Sequence, residues 1–408
     1  MRMLHSCNSA SHNQIHRSGI TVRSIRVLHC PHSIAGNAQG LSRAERAVGL
    51  ESWAAALYAN PYGVACDEIV FGSKDGFVKR EIKRWRFLLR AMRQFDIIHF
   101  NFGGSILDHI VSQTRSQAIW MYARFLELRD LPLLGMVGRG MFVTFQGDDA
   151  RQGDFCARNF DICAATEVEP GYYSPETDAH KRIRIAMFAK YCDRIFALNP
   201  DLLHVLPPQS KFLPYAHVDP REWNNVGAKG SRSHVPLIVH APTHRGVKGT
   251  RHILDAIARL KREGVPLRFA LIEKLPFREA RRIYQQADLL VDQLLIGWYG
   301  GVAVEFMALG KPVICYVREA DLKFIPSEMR TELPIINATP STIYDVLKEW
   351  LTTRKSELPD VGRRSRLFME EWHDPLKIAT RLKFEYESVM MSKRLRDPAM
   401  LRSGKSAS

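Results

Sequence analysis

Short apolar runs alternate along this chain with longer segments whose apolar positions recur at helical spacing. The first run is Arg26 to Cys30, RVLHC, followed by a small-residue loop around Gly36 and Gly40. Ser42 and Glu45 then stand at capping-box spacing, which predicts a helix start. Further strands are expected at Trp53 to Tyr58, Asp96 to Phe100, Met141 to Phe145, Tyr191 to Leu198 and Lys211 to Leu213. Strands that alternate with helices predict a parallel sheet covered on both faces.

After Pro220 the stretch REWNNVGAKGSRSHVP is polar, contains Gly and Ser, and predicts a linker over 220–235. The alternation then restarts with a strand at Leu237 to His240. Thr250 is expected to cap a helix whose Ile253, Leu254, Ile257 and Leu260 form one apolar stripe. Strands at Arg268 to Ile272, Leu289 to Asp292 and Val313 to Val317 follow. The expected architecture is α/β, with an N-terminal unit over 24–219 and a C-terminal unit over 236–371. A ligand cleft between them is the physical expectation, because open parallel sheets bind at the carboxyl ends of their strands.

Composition narrows the class. At 408 residues, 46% hydrophobic and 25% charged, the chain reads as a soluble globular protein with two cores. No apolar run reaches the roughly 18 residues of a membrane span. Residues 1–23 lack the apolar core of a secretory signal and are expected to be a disordered extension, and 392–408 a loose basic tail. A cytoplasmic location, peripheral at the inner face of a membrane, is the expectation. The seven cysteines are scattered without C-x-x-C spacing and read as reduced thiols.

The net charge of +15 speaks of partners. It is densest over 79–95, KREIKRWRFLLRAMRQF, where Ile82, Trp85, Leu88, Leu89, Met92 and Phe95 recur at helical spacing. A basic amphipathic helix with a Trp suits an anionic membrane surface, and equally a surface helix packed on a sheet. No aromatic-basic module for specific nucleic acid is present, and no G-x-G-x-x-G follows a strand as a dehydrogenase requires.

Two segments carry candidate chemistry. After the strand ending at His240 comes APTHRGVKG, in which Arg245 and Lys248 can place a planar fork and a point charge on a diphosphate. Later, GWYGGVAVEFMALGKPV joins a glycine-rich turn to an apolar helix with one acid. Helix amides near Gly300, Gly301 and Val302 suit an anion, with Glu305 one turn further in.

Together these segments resemble the donor domain of GT-B glycosyltransferases, most nearly the large retaining family that includes sucrose and phosphatidylinositol mannosyltransferases. The resemblance spans about Arg26 to Met391. It implies two facing Rossmann-like domains, with helix 372–391 crossing back to the first. The implied activity is transfer, retaining and hexosyltransferase-like, from a nucleoside-diphosphate sugar to a glycan or lipid-linked acceptor, as in polysaccharide biosynthesis. Arg245 and Lys248 would hold the diphosphate, Glu305 the ribose, and the amides of Gly300, Gly301 and Val302 the phosphates. Gly36, Asn37 and Gly40 would form the loop near the reacting centre. Gln146 to Asp149, QGDD, is similar to the family's His-Gly-x-Asp element, with Asp148 or Asp149 supplying a catalytic carboxylate.

Two departures stand out. Gly297 occupies the place of an acid that touches the donor sugar, and Gln146 that of the active-site His. They motivate an alternative, a catalytically inactive sugar-nucleotide-binding partner subunit. Leaving-group-side attack needs no protein nucleophile, so a lost His is survivable. No metal and no cofactor are expected, since no Asp-x-Asp cluster stands out. His99 reads better as a satisfied strand-end histidine than as a base.

Overall fold

A computed structural model describes residues 23–108, 116–223 and 235–395. The expected terminal extension lies outside these residues up to 22, as do most of the linker (224–234) and the tail from 396. The N-terminal half contains β1 (Arg26–Cys30), α1 (Asn37–Ala47), β2 (Glu51–Ala56), β3 (Glu68–Ile69), α2 (Phe77–Gln94), β4 (Ile97–Asn101), α3 (Gln117–Leu126), α4 (Asp130–Met136), β5 (Gly140–Phe145), α5 (Gly153–Asn159), α6 (Pro175–Tyr191), β6 (Arg194–Ala197) and β7 (Lys211–Phe212). The C-terminal half contains β8 (Leu237–His240), α7 (Arg245–Lys248), α8 (Thr250–Arg262), β9 (Arg268–Leu271), α9 (Phe277–Gln286), β10 (Leu289–Val291), α10 (Gly301–Ala308), β11 (Val313–Cys315), α11 (Ser327–Glu332), β12 (Ile336–Asn337), α12 (Ile343–Leu351), α13 (Leu358–Trp372) and α14 (Pro375–Leu395).

Two parallel sheets result, ordered β3-β2-β1-β4-β5-β6-β7 and β12-β11-β10-β8-β9. Strand period dictates the layering: Val27, Ile97 and Phe142 face one side of the first sheet, while Leu28, Ile98 and Val143 face the other. On the first side lie α1 and α14, on the second α2, α4 and α6. The second sheet is likewise covered by α8 and α12 on one face and by α9, α10 and α13 on the other. The two-residue strands β3 and β12 are not among those expected from the sequence.

Two expected caps are displaced. Helix α1 begins at Asn37, five residues before Ser42, with Gly36 (φ 74°) in the cap position, so Asn37 and Gly40 belong to the helix rather than to a loop. Ser42 and Glu45 are instead buried inside it, where Ser52 Oγ donates to Glu45 at 2.6 Å. Thr250 is not the cap of α8 either; Gly249, φ 71°, holds that place. The Thr250 hydroxyl meets buried His240 Nε2 at 2.8 Å, while His240 Nδ1 lies 2.8 Å from the Val291 carbonyl. A carbonyl only accepts, so Nδ1 carries the proton and Nε2 accepts from Thr250.

The chain breaks between α13 and α14, and α14 returns to the first sheet. Tyr386 donates to Glu45 at 2.9 Å, and Lys383 to the Val48 carbonyl at 2.9 Å. His99 is a satisfied core histidine, 2.7 Å from both Tyr386 and Thr144, and burial lowers its pKa well below the ordinary value. No described helix is long and apolar enough to cross a membrane. The described cysteines are free thiols.

Candidate functional site: the cleft between the two sheets

Each sheet has a point where strand order reverses, between β1 and β4 in the first and between β8 and β10 in the second. Loops leaving such points form a crevice at the carboxyl ends of the strands. In the second sheet those loops are the Arg245 to Gly249 segment and the Asp292 to Gly300 turn.

Asp292 ties these two loops together. Its Oδ1 lies 3.0 Å from Lys248 Nζ, and its Oδ2 accepts from the Gly300 amide at 2.6 Å. A Cβ on Gly300 would come within 2.9 Å of Lys248 Nζ, so glycine lets the ammonium reach the start of α10. Glu305, one turn into α10, is buried, and its Oε2 has no hydrogen-bond partner. Val302 is half-buried against the core. Arg245 does not join this group: it is 58% exposed and forms a two-point pair with Glu273 at 2.8 and 2.5 Å.

The N-terminal half reaches the same spot through a residue that sequence reasoning missed. His217 follows β7, has a side chain only 4% exposed, and stands 3.5 Å from Glu305 Oε1 with neither ring nitrogen hydrogen-bonded. Its imidazole lies 3.3 Å from where a Cβ on Gly301 would be, and Ala35 Cβ lies 3.9 Å from that point. The expected loop residues hold this segment in place. Asn37 Oδ1 accepts from the Ala216 amide at 2.8 Å, and a Cβ on Gly40 would fall 2.3 Å from the Ala216 oxygen. Gly36, Asn37 and Gly40 thus position His217 against Gly301 and Glu305.

Around Gln146 the acids are committed elsewhere. Asp148 accepts from Arg151 at 2.7 Å and from the Tyr172 and Tyr173 hydroxyls at 2.6 Å each. Burial pushes its carboxyl up, but the Arg151 charge and these donors hold it below the ordinary value. Asp149 accepts from the Gln146 and Gly147 amides, and burial pushes its pKa up to about 6. Gln146 points its amide at Asn101 Oδ1, 3.4 Å away.

Arg318 explains Gly297. A Cβ there would lie 2.6 Å from Arg318 Nη1, and the turn needs φ 89°. The guanidinium donates to Asp321 at 2.8 Å and to the Ile162 carbonyl at 2.9 Å, and lies 3.7 Å from the Phe160 ring centroid. A cation therefore stands where an acid was expected. Segment 160–173 also covers the Arg245 to Gly249 loop, with the Tyr172 ring 4.5 Å from that of His244. His–carboxylate contacts recur across the cleft: His204 with Asp321 and His252 with Glu167 at 2.8 Å, and His244 with Glu169 at 3.3 Å. Behind the glycine-rich turn, His373 joins Tyr299 and the Tyr215 carbonyl, and burial lowers its pKa to about 3. No group of three or more His, Cys, Asp or Glu side chains placed to hold a metal occurs among the described residues.

This architecture, two facing parallel α/β sheets with a terminal helix crossing back, is matched in solved structures. Sucrose-phosphate synthase from Thermosynechococcus elongatus superposes with TM-score 0.56 at 14% identity, covering 91% of this chain and 100% of that one. A glycosyltransferase from Rickettsia africae gives 0.52 at 11%, covering 90% and 99%. The catalytic domain of starch synthase IV from Arabidopsis thaliana, bound to ADP and acarbose, gives 0.51 at 12%, covering 90% and 99%. No protein-family model matches the chain, and no curated protein matches it by sequence. The chain has the GT-B glycosyltransferase fold.

Proposed function

We propose that the chain is a glycosyltransferase that moves a sugar from a nucleoside-diphosphate donor to a glycan or lipid-linked acceptor. The observation that carries this reading is Glu305, a buried carboxylate with an unpartnered oxygen, one turn behind the glycine-rich start of α10. A buried acceptor of this kind is costly unless a ligand donor completes it, and ribose hydroxyls are such donors. With the Gly300 amide taken by Asp292, Gly301 and Val302 offer amides and the positive end of a helix to the diphosphate. Lys248, held on Asp292, adds charge to neutralise the leaving group as its glycosidic bond breaks. The scheme uses no metal or cofactor, and retention with a hexosyl donor follows the resemblance of the donor half.

Calorimetric titration with UDP, GDP and ADP, followed by turnover of labelled nucleotide sugars, tests the proposal. Binding of one nucleotide that is weakened in Glu305→Gln is the expected outcome. Absence of binding by any of them would remove it. A second reading, an inactive sugar-nucleotide-binding partner, is favoured by Arg318 beside Gly297 and by segment 160–173 over the phosphate loop. Nucleotide binding without hydrolysis or transfer of any donor sugar would select it.

A further inference from the structure

We propose that the outward faces of α2 and α3 seat the N-terminal domain on an anionic lipid bilayer. The inference goes beyond sugar transfer and does not depend on it. The amphipathic reading of 79–95 needs correction in one respect: its apolar positions do not share one face. Helix α2 turns Phe87, Leu88 and Ala91 into the core, together with Arg84, whose guanidinium donates to the Asp108 carbonyl at 3.0 Å. Val78 (69% exposed), Ile82 (49%), Trp85 (36%) and Leu89 (45%) face outward. Their spacing of four, three and four places them on one stripe. Packing of the domain is already satisfied by the inner face, so the outer stripe serves something else.

Helix α3 extends this stripe. Trp120, Met121 (59%) and Phe125 (68%) are exposed. Tyr122 joins the two helices: its hydroxyl donates to Glu81 at 2.9 Å, lies 3.4 Å from Trp85 Nε1, and its ring meets that of Phe77 edge-on at 5.9 Å. Single exposed apolar residues need no explanation, but Trp, Phe, Leu, Ile, Met and Val side chains gathered on two adjoining helices mark an interaction surface.

Charge selects the occupant. Arg86 and Arg93 stand beside the stripe on α2, with Lys79, Lys83 and Arg90 further round the same side, while Arg124 lies on α3 and Arg129 just beyond it. Nearby acids are consumed locally: Asp75 by Lys79 and Lys83, Glu68 by Arg90, Glu81 by Arg84, and Glu127 by Arg124, His180 and Arg184. An apolar centre with indole and phenyl rings, rimmed by long basic side chains, fits the acyl boundary and headgroups of an anionic bilayer. A second copy of this face would oppose like charges, which disfavours self-association.

The test is sedimentation of the full chain with phosphatidylcholine vesicles, with and without about a third of phosphatidylglycerol. Binding only to the anionic vesicles, weakened by salt, is expected, with a blue shift of tryptophan emission. Arg86→Glu combined with Arg93→Glu should lower vesicle affinity about tenfold or more. Replacing Ile82, Leu89, Met121 and Phe125 with Ser should do the same at an unchanged melting temperature. Should the Ser variant misfold, the charge variant and the salt series still decide. The proposal is overturned by absence of anionic-vesicle binding, or by variants that bind as the parent does. Dimerisation through these residues without vesicle binding, or retention on nucleic acid instead, overturns it equally.

Discussion

Asp149 and Glu305 are both carboxylates at the mouth of the cleft, one from each half, and they are in opposite states. Asp149 is bonded by the amides of Gln146 and Gly147 and fixes its own turn. Glu305 keeps a buried oxygen with no partner. The same contrast holds between the two cations beside them, since Arg151 is enclosed by Asp148 and Asp201, whereas Lys248 makes one contact with Asp292 and has donors to spare. Around Gln146 the N-terminal wall of the cleft is closed upon itself, whereas Glu305, with the unbonded His217 imidazole beside it, is built to receive something. A polar group already satisfied by its own fold has little left for a ligand.

The largest effect that would test this contrast comes from Arg151→Met. It leaves the Asp148 and Asp201 carboxylates without their cation, and loss of about 3 to 5 kcal/mol of stability is expected in chemical denaturation. A nearly neutral change would show that the N-terminal acids are not structural. Next, Glu305→Gln should weaken nucleotide binding by about 1.5 to 3 kcal/mol, measured by calorimetry, at an unchanged melting temperature. A fall in stability with intact affinity would reverse the roles given to the two halves.

A smaller, pH-dependent effect belongs to Asp149. Its folded pKa of about 6 lies above the unfolded value of about 4, so its contribution to stability is full below pH 4 and is lost as pH rises through 6. Asp149→Asn should therefore gain stability relative to the parent between pH 4 and 7, in parallel urea titrations. A constant offset across that range would contradict the assignment. The smallest effect is expected of Arg245→Ala, which should melt with the parent because its pair with Glu273 is exposed and screened. Its nucleotide affinity should fall less than that of Lys248→Ala; the opposite order would put Arg245, not Lys248, on the diphosphate.

The fold was legible where strands were long enough to show a period. Leu237 to His240 coincides with β8, and the runs at Met141 to Phe145 and Arg268 to Ile272 differ from β5 and β9 by a single residue. Cap signals misled twice, and for one reason. Ser42, Glu45 and Thr250 have the right side chains for caps, but buried partners across the chain bind them more strongly than a helix end does. Exposure on α2 could not be read either, because Ile82 and Leu88 have equal hydropathy claims and only neighbouring helices decide which is covered. The candidate site was half legible: Gly300, Gly301 and Glu305 announce themselves by glycine and acid at helix spacing. His217, Asp292 and Arg318 carry no local signature.

By itself, the sequence determined that this protein builds two parallel α/β layers, since period-two and helical apolar patterns are local and survive any arrangement of the whole. It also determined a glycine-rich helix start with an acid behind it. Only the tertiary structure decided which polar groups are satisfied. Arg318 fills the space beside Gly297, Asp148 and Asp149 are consumed by their own loops, and His217 meets Glu305 across 88 positions of chain. The reason is physical: hydrogen-bond satisfaction depends on distances of a few ångströms between segments remote in sequence, and no local pattern encodes them.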